Sequence, residues 1–574
     1  MPLGILESRK GDHVPGTAYV LDEVHSSTES IQTDSHLKYD RSGPVPIILV
    51  PQPSDDPNDP LNWPLWRRDL ILAILSIVSV LCATASPILA AGTLVLSFNF
   101  HTSFTGIALL TGYHLCAVGV AGLLFVPSAR VWGKRHLYLF GTLLTIISSA
   151  WGGASGSNYN SMLAARIFQG IALAPFESLV NASVGDLYFV HERGKRMAVS
   201  NVALFGGSFL TPVIAGKMTA DIGWEWTFYF IAIFAAAVFP LVFFFVPETA
   251  FRRPDYLNTD FEGDADRPHV PRELRIPPTD SSETPPGASI EEAKENGEAT
   301  SAANGAANHS DTPEVNATTQ PQKVTFAQSL RPFNGRKTDE SFFKLFLRPF
   351  PLFLHPGILW ACLIQGVMIG WTVFFGVVLA AVFMSPPLWF EETETGYLYT
   401  GAFVGSILGL GISGLAADWI NKIMIKLNKG KYEPEYRIIL VVLQLIFGGI
   451  GLYGFGYATE DIGRYGWLLP DVFFMFLIIG MVMGAVSSAL YIVDAHREIA
   501  IEAFTCLLFF KNVFSFVLTF YAYDWVVKGD RPIFTILGSI QVGICFLSVP
   551  MYIFGKRNRA FFHRHDILSM CKLR

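Results

Sequence analysis

The chain has 574 residues, 51% of them apolar and only 16% charged, with 47 phenylalanines, 50 glycines and a formal net charge of −6. This excludes an intrinsically disordered protein and is too apolar for ordinary soluble domains. The acidic residues concentrate in polar segments, and their slight excess points to no nucleic-acid partner.

Residues 1–68 form a polar tail that closes on Pro51-Gln-Pro-Ser-Asp-Asp-Pro57-Asn-Asp-Pro60. No short apolar leader precedes it, so the first span is expected to serve as its own insertion signal. Twelve apolar runs follow, near 70–92, 104–127, 136–156, 162–184, 198–218, 226–246, 356–384, 397–417, 438–458, 467–492, 500–523 and 533–554. Each is long enough to cross a hydrocarbon core of roughly 30 Å. The expected fold is therefore all-α and polytopic, with twelve transmembrane helices in two six-helix halves, 69–249 and 351–555. Residues 250–350 lose the apolar runs and fill with Pro, Glu, Asp, Ser and Asn, as in Glu291-Glu-Ala-Lys-Glu-Asn-Gly-Glu298. Such a composition buries too little surface to offset ordering entropy, so a disordered linker is expected there.

Basic residues set the orientation. Arg130, Lys134 and Arg135 follow span 2, Arg193, Lys195 and Arg196 follow span 4, and Lys422, Lys426, Lys429, Lys431 and Arg437 follow span 8. Lys556, Arg557 and Arg559 follow span 12, while connections of the other parity hold few cations. Both termini, the linker and the 556–574 tail are thus expected in the cytoplasm. Asn308-His-Ser310 and Asn316-Ala-Thr318 match the glycosylation pattern, but this topology keeps them from the modifying enzymes. Five of the six cysteines lie in apolar runs, and no spacing suggests a disulfide framework or a metal site.

Charged groups inside the spans are the functional candidates. Arg166 in span 4 costs roughly 2.5 to 3.5 kcal/mol at membrane depth on insertion scales. On that argument its loss should spare folding and abolish function. Arg166, Gly170, Glu177 and Asn181 recur at helical spacing and share one face, with Gln169 beside them. Arg166 and Glu177 lie about 16 Å apart along the axis, too far to pair. A carboxyl buried at Glu177 suits a proton carrier, and inter-helix hydrogen bonding is the alternative role. In span 11, Lys511 falls about 16 Å from the helix start at Ala500, beside Asn512, and should face a central cavity. Its candidate partners are Glu177 across that cavity, or Asp494, Glu498 and Glu502. Span 7 adds Gln365 and Trp371, the latter suited to packing or to substrate stacking, and span 10 has Gly480 and Gly484 in a G-x-x-x-G spacing.

These pieces resemble the major facilitator superfamily. Leu163, Arg166, Gln169 and Gly170 are similar to its fourth-span signature, in which Arg and Gln face the translocation path. Val126-Pro-Ser-Ala-Arg130-Val-Trp-Gly133-Lys134-Arg135 looks like its loop signature G-x-x-x-D-R-x-G-R-R. Gly133, Lys134 and Arg135 match, whereas Arg130 replaces the acidic residue and leaves a charge partner missing. Gly414-Leu-Ala-Ala-Asp418 supplies the complementary portion in the second half. Asp186 and Arg193 flank the loop after span 4 and could close a state-dependent latch. Gly207, Thr211-Pro212 and Ala215-Gly216 resemble the fifth-span antiporter signature, a bending seam of proline and small residues. Asp59-Pro-Leu-Asn-Trp63-Pro, Gly223-Trp-Glu-Trp226, Val246-Pro-Glu-Thr249 and Asp494-Ala-His496-Arg497-Glu498 look like a fungal branch. That branch comprises twelve-span drug:proton antiporter-type carriers related to polyamine and cation transporters.

The resemblance implies a secondary transporter working by alternating access, with no cofactor and no catalysis. Its partners would be a small-molecule substrate, protons and the lipid bilayer, and it would act as a monomer in the plasma or vacuolar membrane. Proton-coupled efflux of a drug or secondary metabolite is the leading reading, and uptake of a polyamine or other organic cation is its rival. A non-transporting membrane sensor is the alternative from another class. No phosphate-cradling G-x-x-x-x-G-K-[ST] appears, which disfavours ATP-driven transport.

Overall fold

The structure, a computed structural model, describes residues 2–7, 14, 16–19, 38–40, 47–49, 51–253, 323–428 and 431–574. Twelve long helical passages form the body. Spans 1 to 6 are Leu65–Thr84, Phe104–Trp132, Arg135–Gly153, Tyr159–Leu187, Val190–Ile222 and Trp224–Phe245. Spans 7 to 11 are Pro356–Phe383, Glu392–Leu427, Pro434–Glu460, Leu468–Ala495 and Arg497–Val526. Span 12 is Asp530–Phe546, continued by Ser548–Arg564. Ten of the twelve are long and apolar enough to cross a membrane by length and composition. The other two are spans 1 and 3, which begin with Arg67-Arg68-Asp69 and Arg135-His136 near their first turns.

Local chemistry sets the helix ends. Ser103 and Asn158 cap spans 2 and 4 by accepting bonds from the amides of Gly106 and Ser161. Span 2 stops at Gly133, whose φ of +91° favours glycine, and a Cβ there would lie 2.2 Å from Glu248 Oε2. Span 1 differs from expectation, ending at Thr84 rather than near residue 92. Its last carbonyls are taken by Arg166, and the chain turns away through Ser86-Pro87.

Glu248 closes the N-terminal half on the face that carries the linker. It accepts from the backbone amides of Lys134 and Arg135, both at 3.0 Å. Arg253 and Asp59 then pin the segment before span 1 to the end of span 6, at 2.7 Å. Burial works against ionised Asp59, but Arg253 and two backbone amides outweigh it and hold the carboxyl below its usual range.

One correction concerns the polar segments. Residues 254–322, with both glycosylation patterns, lie outside the described residues. Residues 323–350, expected to be disordered, are instead laid over the linker-side ends of spans 2 and 3. The Lys337 amide donates to Val131 O at 2.8 Å, Phe333 stacks on His136 and Phe342 packs on Trp132. Phenylalanines among the polar residues give this stretch enough apolar surface to hold a conformation.

Close backbone approach organises the C-terminal half. Phe375, Phe455, Phe474 and Phe534 interlock at its centre, with ring centroids of Phe375 and Phe455 4.5 Å apart. Spans 9 and 10 cross at Gly448 and Gly480, where a Cβ on Gly480 would lie 2.5 Å from Gly448 N. The G-x-x-x-G spacing of span 10 therefore marks a real helix crossing. Gly480→Leu should lower the melting temperature of the purified protein by about 1–3 °C, since overpacking costs about 1–3 kcal/mol. Gly411→Leu, where a Cβ meets open space, should leave the melting curve nearly unchanged; equal effects would refute the crossing as the cause.

Candidate transport site

A cavity lies between the halves, about 1090 Å³ with its solvent-open mouth included. Phe205, Phe209, Tyr399, Phe474 and Tyr523 give its walls aromatic surface, and Thr111, Ser208, Asn512 and Ser515 add hydrogen-bonding groups. Glu177 and Lys511 are its charged lining residues among the described residues. They pair directly, span 4 to span 11, at the end of the cavity nearer the linker. Tyr523 marks the far end, twelve residues along span 11 from Lys511, or about 18 Å. Lys511 thus has the partner across the cavity that its depth suggested.

Along spans 5 and 8 the halves meet at the far end and part toward the linker, whereas spans 2 and 11 stay packed there: a Cβ on Gly122 would lie 2.4 Å from Leu508. A Cβ on Gly216 in span 5 would lie 2.5 Å from Glu392 O, and one on Gly396 would lie 2.5 Å from Pro212 O. Phe104 stacks on Tyr523 across the same boundary, centroids 5.5 Å apart. At the linker side of these spans, a Cβ on Gly194, Gly411 or Gly414 would meet nothing within 4 Å. The Pro212-Gly216 seam is therefore a contact between halves, while Gly207 packs against Val80 of span 1.

Arg166, Gln169 and Gly170 do not line the cavity in this state. Arg166 is fully buried and donates to Ala85 O, to Ser86 O at 3.0 Å and to Gln169 Oε1 at 3.0 Å. Gln169 passes the bond on to Ser149 of span 3 at 3.0 Å. A Cβ on Gly170 would sit 2.1 Å from His114 O, so spans 2 and 4 touch main chain to main chain. The arginine stands one layer behind the wall and holds Ser86, which does line the cavity. The shared face of span 4 meets span 1 and span 2 first, then the cavity at Glu177. Farther along, Asn181 bonds to Asn201 at 3.0 Å and accepts from Ser200 at 2.7 Å.

Gln365 and Trp371 also face protein. Gln365 lies in a wide π-type turn, Cys362–Val367, and accepts from Ser488 at 3.1 Å. Trp371 donates to Gln541 at 3.2 Å and packs edge-on against Phe514, which is a packing role. Asn512 touches the cavity while donating to Leu508 O at 3.0 Å.

The loop charges are wired differently from the expected latch. Asp186 pairs with Lys134 at 2.7 Å, not with Arg193, which donates to Tyr188 O and Gly185 O. Arg135 reaches Val246 O, Phe243 O and Leu330 O, binding the end of span 6 to the segment before span 7. Asp418 is exposed, and among the described residues it joins no ion pair. Arg130 does have a charge partner, but in the other half. It contacts Glu502 of span 11 at 2.6 Å and Glu340 at 3.4 Å, and Arg348 closes the ring to Glu340 at 2.8 Å and Glu502 at 3.3 Å. A partner 372 residues away leaves no local signal in the sequence.

Two outcomes follow from these bonds. Arg166→Ala strands two carbonyls and an amide, each costing about 1–3 kcal/mol, so the variant should lose thermal stability together with transport. A normal melting temperature with transport lost would restore the purely functional role inferred from insertion cost. Arg130→Glu should slow transport about fivefold, the equivalent of ~1 kcal/mol for a partly exposed pair. Adding Glu502→Arg should recover most of that rate; a double variant as slow as the single one would rule out the tie between halves.

Comparison with known proteins agrees with this architecture. The sequence profile of the Major Facilitator Superfamily matches residues 72–500. Protein HOL1 of Saccharomyces cerevisiae is 24% identical, with 97% of each chain covered. MFS transporter cpaT of Aspergillus oryzae is 25% identical over 88% of this chain and 90% of its own. MFS-type transporter penM of Penicillium rubens is 23% identical, with 88% of each chain covered. Among solved structures, a D-xylose–proton symporter is 14% identical with a TM-score of 0.54, covering 85% of this chain and 99% of its own. The xylose transporter XylE of E. coli, in a partially occluded inward-open conformation, gives 12% identity and a TM-score of 0.53. It covers 85% of this chain and 97% of its own. Two six-helix halves around a shared cavity, matched by the family profile over most of the chain, make this a multi-pass membrane carrier of small organic compounds and not an enzyme: the chain belongs to the Major Facilitator Superfamily.

Proposed function

We propose that the protein is a proton-coupled carrier that exports a small organic compound by alternating access across the plasma membrane. The observation that carries this reading is the Glu177–Lys511 ion pair, which joins the two halves inside the cavity. An ion pair between moving bodies ties their separation to protonation. A proton on Glu177 cancels its charge, removes the attraction to Lys511 and lets the halves part there. The pair also leaves the cavity formally neutral, with aromatic walls and scattered hydroxyls that suit a largely apolar molecule bearing a few polar groups. A solved structure of the same fold is described as a D-xylose–proton symporter, which supports this reading.

Orientation belongs to the same reading. The basic residues gathered on the linker side put that side, and both termini, in the cytoplasm. A cavity sealed at the far end between spans 5 and 8, which part toward the linker, supports a state turned to the cytoplasm, where an export substrate would load. Uptake of a polyamine or other organic cation is the second reading, favoured by Glu177 as the cavity's carboxylate.

Glu177→Gln keeps shape and hydrogen bonding but cannot titrate. In proteoliposomes with an imposed pH gradient, it should transport at a rate that no longer follows the gradient. Lys511→Met leaves Glu177 unopposed, so cationic compounds should gain over neutral ones. At 6 Å and an effective dielectric of about 20, one charge shifts the preference by roughly 3 kcal/mol, about a hundredfold. A wild-type pH response in Glu177→Gln would sink the coupling assignment, and an unchanged cation-to-neutral ratio in Lys511→Met would move recognition elsewhere.

A further inference from the structure

The described part of the first nineteen residues does not rest on the half it precedes. It packs on the linker-side face of the C-terminal half. The Leu6 amide donates to Ile553 O at 3.0 Å, and Tyr552 donates to Leu3 O at 3.1 Å. β1 (Ala18–Tyr19) pairs antiparallel with Lys431–Tyr432 in the loop between spans 8 and 9. Ile5 and Val14 are buried. Gly16 has a φ of +83°, and a Cβ there would lie 2.4 Å from Asp494 O and 3.0 Å from Pro434 Cγ. The backbone seat therefore excludes every side chain at this position.

Charge completes the fit. Lys431, Lys556 and Arg559 surround the carboxylates Glu433 and Glu435, with Arg559 at 3.0 and 2.7 Å from them and Lys556 at 2.8 Å from Glu433. Glu7 adds a third carboxylate to this cluster, 2.6 Å from Lys556 and 3.7 Å from Lys431. Thr17 donates to Glu433 at 2.7 Å. Burial alone would raise the Glu433 carboxyl, but the bonds from Lys556 and Thr17 and the charge of Arg559 hold it below its usual range. It therefore stays an anion that the cations need.

We propose that this face is a receptor for an extended peptide that presents a carboxylate, and that the chain's own N-terminal segment, seated through residues 2–7, 14 and 16–19, is its exchangeable occupant. Strand addition to a short exposed edge, with pockets for alternate side chains, is a general way of holding such a segment. Attachment does not force the docking. Residues 20–58 separate the seat from the Asp59–Arg253 anchor on the other half, a reach of at most about 130 Å. A tether of that length gives an effective concentration on the order of 1 mM. Even modest affinity then keeps the seat filled. The docked segment ties together the span 8–9 loop, the end of span 10 at Asp494 and span 12 at Tyr552–Arg559, stiffening one half where the halves part.

The test uses a labelled peptide of residues 2–19 and two proteins in lipid nanodiscs: the intact chain and a variant lacking residues 2–37. The truncated protein should bind the peptide with a Kd well under 1 mM and at least tenfold more tightly than the intact chain does. Peptides carrying Gly16→Val or Glu7→Lys should bind at least tenfold more weakly. Should the truncated protein not fold, the full-length chain with both substitutions leaves the seat open and should bind the wild-type peptide in the same range. No binding at about 1 mM, equal binding by the Gly16→Val peptide, or equal affinity of intact and opened proteins would overturn the proposal.

Discussion

A guanidinium at membrane depth finds no water, so its protons must be answered by protein. Arg166 meets that demand by taking carbonyls released where span 1 stops. Much of the N-terminal half is arranged around this. Span 1 ends early, and the turn that follows becomes cavity wall through Ser86 and Pro87. Gln169 links the same arginine to span 3, and Gly170 lets span 2 lie directly on span 4. The cavity exists in this form because a buried charge is satisfied just behind it.

The ionic contacts differ in exposure. The cluster of Arg559 with Glu433 and Glu435, inside the C-terminal half, has side chains with at most 1% exposure. Breaking it leaves an uncompensated buried charge, so it holds a rigid body together. Other pairs inside a half are wetter, as with Lys134 and Asp186 at 10% and 28%. The contacts between halves are partly wet as well: the Glu177 and Lys511 side chains are 15% and 12% exposed, and Arg130 is 34% exposed. Water can replace such partners at modest cost. Rigid halves joined by replaceable contacts are what rocking requires.

Much of this was legible in the sequence. Apolar run length gave the helices and their division into halves, because bilayer thickness leaves few alternatives. Lys511 pointed to a partner such as Glu177, because a lysine so far from either surface has few places to go. Side-chain direction along one helix was harder. Arg166 and Glu177 share a face, yet the neighbours change along its length, and only Glu177 meets the cavity. The Asp186–Arg193 latch is not formed in this state for a similar reason: Lys134 arrives from another loop and pairs with Asp186. Long-range partners such as Glu502 for Arg130, or Glu433 for Thr17, leave no periodicity to read. The aromatic residues of 323–350 were hidden by the polar average of a longer segment.

The far-end seal has a bearing on how such a carrier diversifies. Where Gly216 and Gly396 meet the opposite half, the surfaces in contact are largely main chain. A seal of that kind has almost no chemistry for mutation to adjust. Any larger side chain would prop it ajar and let ions leak, so these positions have little room to drift. Innovation in what is carried must accumulate instead on the walls, at positions such as Thr111, Phe205 and Ser208, where side chains meet open space. A lineage could thus change its cargo repeatedly while its gate stays the same.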